Sequence, residues 1–587
     1  MPLTVKSVRQ QVEQFLVAND LKFGRLDYYA GVFVNDKLVA GGGLEENIMK
    51  CFAVSPEARG FNLMGKLIHH LQSVGIARGY HNFFAFTKPK NEQLLVSLAF
   101  HVIARAKSAI LLETNPYGVS DFCRHLSQYK KDGKSGCIVM NCNPMTIGHL
   151  FLIESAAKQV DTLHIFVVSE DKSDFSSVER FEMAKNGTAH IPNVIVHNAG
   201  KYIISFATFP MYFFKTMDEQ INTYIELDLN IFNTFIAPIL NISVRFAGTE
   251  QSDEVTLRYN QMMETVLPPK GIQFVVIDRL KQDSTPVSAS RVRKKLSTFH
   301  LNEAYSLIPE TSKPYVLNKC AKKIADLAVN ALKEELKATP KPGLVDKKDS
   351  GSHYDMDFRI MTRSVNAISP FFYEFARKGL SGNIPVDADF VEAIKTIGVN
   401  AEVAMLDATQ GVNTHRGAIF SMGLCIVAVS LLIASGKQLL PEDISETIAD
   451  IADKFSKQEI SHGVTACKQF EIKGALDNAQ EGYRKVIKEV LPEYQQMMKS
   501  GIDCNTAKIR ALLLIISVID DTNIYYRCGA EVASKVKQKS FELYQNYDIS
   551  KVDELNRTFI KNHISPGGSA DMLAVIIFLY NIIKQNN

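Results

Sequence analysis

The sequence predicts a multidomain chain, with a mixed α/β front, an open parallel α/β domain behind it and an all-α remainder. Three observations predict this. Short apolar runs broken by turn residues fill the chain to about Leu112. From Cys137 to about Leu296, apolar strands alternate with helical stretches, the pattern of a parallel sheet. From about Tyr315, long amphipathic or apolar segments dominate without strand-like alternation. The expected boundaries are 1–130, 131–310 and 311–587.

Composition narrows the function classes. The 587 residues suit roughly four ordinary domains, and 46% hydrophobic content supplies several cores. A net charge of +3, from 66 basic and 63 acidic residues, gives no general attraction to nucleic acid or to an anionic membrane. Neither is expected as a partner. The nine cysteines form no CxxC pair, which favours reduced thiols in a cytoplasm, and the start MPLTVKSVRQ lacks an export signal. Gly417 to Gly436 runs twenty residues without a charge, long enough to span a bilayer. Its many small residues and polar N-T-H-R entry suit a helix buried among helices, as does the apolar run Ala511 to Ile519.

In the front, G-V-F-V, K-L-V-A-G-G-G-L and C-F-A-V read as short strands. Ser55 and Pro56 then open a helix with Leu63, Leu67 and Leu71 on its apolar face. A strand entering a helix through Arg59-Gly60 resembles the pyrophosphate loop of GNAT acetyltransferases, although Asn62 and Met64 stand where that family has glycines. The resemblance implies a GNAT-like front in which Arg59 and Gly60 lie beside a CoA-like arm, held by amides at a helix start.

In the middle region, strands are expected at Cys137–Met140, Leu163–Val168, Val194–Val196, Val244–Phe246 and Phe274–Ile277. N-C-N-P-M-T-I-G-H, Asn141 to His149, follows the first of them directly. Gly148 lets backbone approach a phosphate, and Thr146 and His149 stand at a helix start whose free amides and dipole favour anions. An imidazole there stabilises charge growing on an attacked α-phosphate. Asn143, Thr146, Gly148 and His149 resemble the T-x-G-H signature of the Rossmann-like nucleotidyltransferase superfamily, and V-S-A-S-R-V-R resembles its second element. In that element Ser288, Ser290 and Arg293 clamp the departing pyrophosphate. With G-T-E at Gly248 to Glu250 and V-T-L-R-Y-N-Q at Val255 to Gln261, residues about 1–300 resemble citrate lyase ligase. The resemblance implies adenylation of acetate by ATP with Mg²⁺. The acetyl group would then pass to the thiol of the prosthetic group on the citrate lyase acyl carrier protein.

The helical remainder carries five polar clusters beside Gly or Pro: T-P-K-P-G-L-V-D, G-S-H-Y-D-M-D, G-V-N-T-H-R-G, D-T-N-I-Y-Y-R-C-G and N-H-I-S-P-G-G-S-A-D. Such clusters are expected where helix ends converge on a polyphosphate. Asp346, Asp355, Asp357 and Asp521 offer oxygen ligands, favouring magnesium over zinc, while Lys341, His415 and Arg416 neutralise phosphates and Gly343 and Asn413 line the same loops. Together the clusters resemble triphosphoribosyl-dephospho-CoA synthase over about residues 315–587. That implies transfer of the triphosphoribosyl unit of ATP to 3′-dephospho-CoA with release of adenine. Such glycosyl chemistry needs a carboxylate and an acid, for which His353, Asp355 and Asp357 are the first candidates. G-A-L-D-N-A at Gly474 to Ala479 departs from the G-A-R-G-E-A of relatives.

Two other readings stay open. The T-x-G-H fold also serves adenylyl transfer to acceptors such as phosphopantetheine, and a carrier-binding scaffold with vestigial sites would show the same motifs.

Overall fold

Asn35 and Asp36 both take positive φ, 48° and 60°, the backbone of a tight hairpin turn that Asn and Asp tolerate. They join β1 (Tyr28–Val34) to β2 (Lys37–Glu45), which pairs in turn with β3 (Ile48–Val54), all antiparallel. The computed structural model to which these strands belong describes residues 3, 5–170, 173–204, 209, 212–214, 216–250, 253–455 and 462–586. Three further strands, β4 (Phe84–Thr87), β5 (His101–Arg105) and β6 (Ile110–Glu113), complete a sheet of order β1-β2-β3-β4-β6-β5. Its one parallel pair, β3 with β4, is joined only at Ile48–Phe84 and Met49–Ala85, so the sheet parts beyond those two positions.

The helix expected to open at Ser55-Pro56 begins later. Pro56–Ala58 is a single 3-10 turn, Gly60 and Asn62 take φ of 89° and 52°, and the α-helix runs Leu63–Ile76. Two left-handed residues cannot continue a right-handed helix, so Arg59 and Gly60 lie on an exposed loop before the helix start. Leu67 and Leu71 are buried as the apolar spacing requires.

The second sheet contains all five strands expected of the middle region: β7 (Ser135–Met140), β8 (Thr162–Val167), β9 (Val194–Asn198), β10 (Ile242–Gly248) and β11 (Gln273–Ile277). All pair in parallel, in the order β11-β10-β7-β8-β9. β8 is buried along its whole length, as a strand covered on both faces must be. The chain starts at β7, moves outward to β8 and β9, then returns to the other side of β7 for β10 and β11. The direction of winding therefore reverses between β7 and β10, and a crevice opens at the carboxyl ends of those two strands.

The chain divides into two compact units, Met1–Ala289 with Pro309–Ser312, and Ser290–Ile308 with Lys313–Asn587. Both large sheets belong to the first. In the second, every element among the described residues is helical. Its long helix Lys313–Lys337 packs against Phe358–Leu380 and Gly567–Asn586, and Arg416–Ala434 packs against both of those. Arg416–Ala434 and Gly567–Asn586 are long and apolar enough to cross a membrane, but most of each lies inside the unit. The uncharged run from Gly417 is thus a core helix, buried from Ala418 to Ile433 apart from the half-buried Phe420.

Candidate active sites

At the reversal point of the second sheet, β7 runs into Asn141–Thr146 and the helix Ile147–Ala157. Thr146 caps that helix: its hydroxyl accepts the His149 backbone N–H at 3.2 Å, and its own backbone N–H donates to His149 Nδ1 at 3.0 Å. An imidazole that accepts at Nδ1 keeps its proton on Nε2. Burial, helped by the nearby Arg279 guanidinium, lowers the His149 pKa to about 4. His149 is therefore a neutral N–H donor at the amino end of a helix.

Around it, buried groups fix the loops. The fully buried Arg180 donates to the carbonyls of Asn141 (3.1 Å), Val168 (2.7 Å) and Phe175 (3.1 Å), tying together the segments that leave β7 and β8. Asn143 is buried, and its side-chain oxygen accepts the Phe175 N–H at 3.1 Å. At the end of β10, the Thr249 hydroxyl accepts the Arg279 backbone N–H at 3.2 Å, and Arg279 forms an ion pair with the buried Glu250. Asn260 donates to the Gly248 carbonyl at 3.1 Å and Tyr259 donates to buried Asp228, so the quoted V-T-L-R-Y-N-Q segment braces the strand end.

Gly148 also allows a close approach within the protein itself. A Cβ there would stand 3.0 Å from the Val287 carbonyl oxygen and 3.4 Å from its Cβ. The missing side chain thus brings the start of the signature helix against the residue preceding Ser288, joining the two motif elements through backbone. Ser288 belongs to the first unit, whereas Ser290 and Arg293 lie on the helix Ala289–Ser297, counted mostly with the second.

In the helical unit, Lys341 is buried and paired with buried Glu335, whose carboxyl is pushed up by burial against the pull of that ammonium. Gly343 takes φ 70°, and a Cβ on it would lie 2.2 Å from the Ile564 carbonyl oxygen. Only glycine allows this loop to lie against Ile564. His415 is 3% exposed, and its Nδ1 lies 2.7 Å from the Ser364 hydroxyl, which accepts from Thr414 at 2.7 Å. When Ser364 donates to Nδ1 the His415 proton sits on Nε2, an atom with no hydrogen-bond partner among the described residues. Burial, with the Lys341 charge, lowers the His415 pKa to about 4. Asn413 Oδ1 accepts the Arg416 N–H at 3.3 Å, and Arg416 pairs with Glu402 at 2.8 Å.

The four expected metal carboxylates are not assembled into one ligand set. No group of three or more His, Cys, Asp or Glu suited to a metal ion occurs among the described residues. Asp346 folds its own loop, accepting the N–H groups of Lys341 (3.0 Å), Lys348 (2.6 Å) and Asp349 (3.1 Å). Asp357 caps the Phe358–Leu380 helix through the Ile360 N–H at 2.7 Å. Asp521 caps Thr522–Gln545 and accepts the N–H and hydroxyl of Ser569 at 2.8 and 2.9 Å. The exposed Asp355 stands 3.8 Å from His353 Nδ1. His353 Nε2 is 2.8 Å from the Ser565 hydroxyl, and burial, then Arg527, lowers its pKa despite Asp355.

Sequence reasoning passed over Arg279, Glu335 and Asp571. Arg279 had one signal, its place just past the carboxyl end of a parallel strand. Glu335 looks like any exposed acid of a long helix.

Comparison with known proteins follows this division. The family model described as citrate lyase ligase C-terminal domain matches residues 135–316, and that of ATP:dephospho-CoA triphosphoribosyl transferase matches residues 321–587. The [citrate [pro-3S]-lyase] ligase of Escherichia coli K12 is 38% identical over 52% of this chain and 90% of its own length. The 2-(5′′-triphosphoribosyl)-3′-dephosphocoenzyme-A synthase of Pectobacterium atrosepticum is 33% identical over 47% of this chain and 93% of its own. A solved structure, Thermotoga maritima TmcAL bound with alpha-thio ATP, aligns with 62% of this chain and 94% of its own at 12% identity. Its TM-score of 0.21 is too low to bear on the fold. The chain belongs to the citrate lyase ligase family and to the triphosphoribosyl-dephospho-CoA synthase family, a ligase and a transferase of citrate lyase maturation fused in one polypeptide.

Proposed function

We propose that the first unit activates acetate with ATP to acetyl-AMP and pyrophosphate, then passes the acetyl group to the thiol prosthetic group of citrate lyase acyl carrier protein. We likewise infer that the helical unit makes 2′-(5″-triphosphoribosyl)-3′-dephospho-CoA from ATP and 3′-dephospho-CoA, releasing adenine. The observation that carries the first reading is the neutral His149, its Nε2–H free of the Thr146 bonds, at a helix start in the crevice of a parallel sheet. A carboxylate is a poor acyl donor until its oxygen bears a good leaving group, and His149 supplies a donor to the α-phosphate oxygens as their charge grows. This supports the T-x-G-H nucleotidyltransferase reading, with Asn143, Thr146 and Gly148 shaping the phosphate loop and Ser288, Ser290 and Arg293 on the pyrophosphate.

The parting of β3 from β4 supports a GNAT-like front, in which the loop at Arg59 and Gly60 receives the carrier's CoA-like arm. In the helical unit, Lys341, Gly343, Asn413, His415 and Arg416 hold the triphosphate. Mg²⁺ would reach the site with ATP and supply positive charge there, with Asp346, Asp355, Asp357 and Asp521 offering oxygens that form no preassembled ligand group among the described residues. The proposed working divisions are 1–130, 131–310 and 311–587, in a cytoplasmic enzyme.

Mass spectrometry of products tests both halves. ATP with acetate and thiol-bearing carrier is expected to give AMP, and ATP with 3′-dephospho-CoA free adenine. AMP transfer to phosphopantetheine in place of acetate would replace the first reading with the adenylyltransferase one. No ATP turnover by either half would leave the scaffold.

A further inference from the structure

The carboxylate of Asp571, the fifth residue of the Gly567–Asn586 helix, lies directly against Gly417. A Cβ on Gly417 would lie 2.1 Å from Asp571 Oδ2, so the glycine of the N-T-H-R-G segment is what admits this carboxyl. The amino-terminal parts of two long helices meet there, Gly567–Asn586 and the Arg416–Ala434 helix that follows His415. Asp571 is partly exposed and makes no hydrogen bond or ion pair among the described residues, unlike Asp346, Asp357 and Asp521. Two further polar groups of this unit are buried and without partners among the described residues: His415 Nε2, two residues before Gly417 in the chain and near the Lys341 charge, and the hydroxyl of Tyr483, which is 4% exposed and feels the Asp571 charge. Donors buried without partners are what a bound ligand can satisfy.

We propose that Asp571 is the general acid that protonates the adenine leaving group in the helical unit, with the Tyr483 hydroxyl and His415 Nε2–H donating to the same bound nucleotide. This inference rests on the synthase reading above. As the C1–N bond of the ribose breaks, its electron pair goes to the adenine ring and the Asp571 carboxyl gives that ring a proton. The acceptor hydroxyl of 3′-dephospho-CoA adds to the ribose C1, and the proton it releases restores the carboxyl. Neither oxidant nor further reactant is needed.

The surroundings suit an acid. Burial and the facing carboxylates Glu335 and Asp521 push the Asp571 pKa well up, against the opposing pull of Lys341. Glu335 comes from the Lys313–Lys337 helix, Asp521 from the cap of Thr522–Gln545, Lys341 from the loop between the first helices and Tyr483 from the turn after Ala475–Gln480. Such company favours the protonated carboxyl, the form that can donate.

The test measures adenine release by the full chain from ATP and from N7-methylated ATP, whose base carries positive charge and leaves without a proton. Asp571→Asn is expected to lower kcat with ATP by about 10²- to 10⁴-fold, with the KM values for ATP and 3′-dephospho-CoA unchanged. With the methylated substrate the loss should shrink to less than about tenfold, and Asp571→Glu should retain part of the ATP rate. An equal loss with both substrates, or a rise in KM without a fall in kcat, would overturn the assignment. So would full activity of Asp571→Asn. If the unsubstituted chain releases no adenine at all, the synthase reading itself falls and this inference with it.

Discussion

The backbone N–H of Thr146 donates to His149 Nδ1 at 3.0 Å, so the peptide rather than a side chain sets which nitrogen of the imidazole carries the proton. A substitution at Thr146 can remove the hydroxyl cap but not this bond. Thr146→Ala is expected to cost about 1 kcal/mol of stability while keeping acetate-dependent pyrophosphate release within roughly tenfold. His149→Ala should lower that release about 10²- to 10³-fold. Pyrophosphate assays with matched denaturation curves check both, and equal losses would show that the hydroxyl itself serves catalysis.

Arg279 carries positive charge to the crevice and is held by the buried Glu250. Removing it takes away a charge-assisted contact of about 1.5–3 kcal/mol, which corresponds to a loss of roughly tenfold to a hundredfold in kcat/KM for ATP. Arg279→Ala should also let the His149 pKa rise, since the guanidinium is one of the two causes holding it down. NMR titration of the imidazole would read that shift directly.

Gly343→Ala tests the loop around Lys341. The new Cβ would meet the Ile564 carbonyl oxygen at 2.2 Å on a backbone with φ 70°, so two costs combine. The left-handed backbone alone costs about 1–2 kcal/mol, and the clash adds to it. A lowered unfolding midpoint and loss of adenine release are expected, with acetate-dependent pyrophosphate release retained. Unchanged stability would show that the loop can move away from Ile564.

His415 makes the helical unit acid-sensitive. Below its ordinary pKa of 6.5 the unfolded imidazole takes up a proton that the folded one refuses until about pH 4. Unfolding therefore binds more protons in this window, and stability is full above pH 6.5 and declines as the pH falls toward 4. A shift of this size corresponds to roughly 3 kcal/mol. Urea midpoints at pH 7 and pH 5 should differ more for the native chain than for His415→Gln, and identical pH dependence would exclude His415 as the cause.

Sheet strands and their order of function were legible because local rules decide them. Five apolar runs separated by helical stretches became β7 to β11, and the motif after the first strand landed at the crevice because winding reverses there. The helix start at Ser55-Pro56 was misplaced because propensity did not reveal that Gly60 and Asn62 turn left-handed. The carboxylates were harder to read for another reason. An Asp before a helix reads alike whether it binds a ligand or caps that helix, and Asp357 and Asp521 cap. Glu335 with Lys341, His415 and Asp571 come from three segments far apart in the chain. Only packing brings their charges within reach of one another, and no spacing rule announces it.

The Gly567–Asn586 helix follows every other helix of its unit in the chain, yet it packs against Lys313–Lys337, Arg416–Ala434 and Cys504–Val518. During synthesis those earlier helices must wait, greasy flanks bare, until this later helix clears the ribosome. The core therefore closes late, and a chain cut short before Gly567 would offer chaperones and proteases a long unshielded apolar surface.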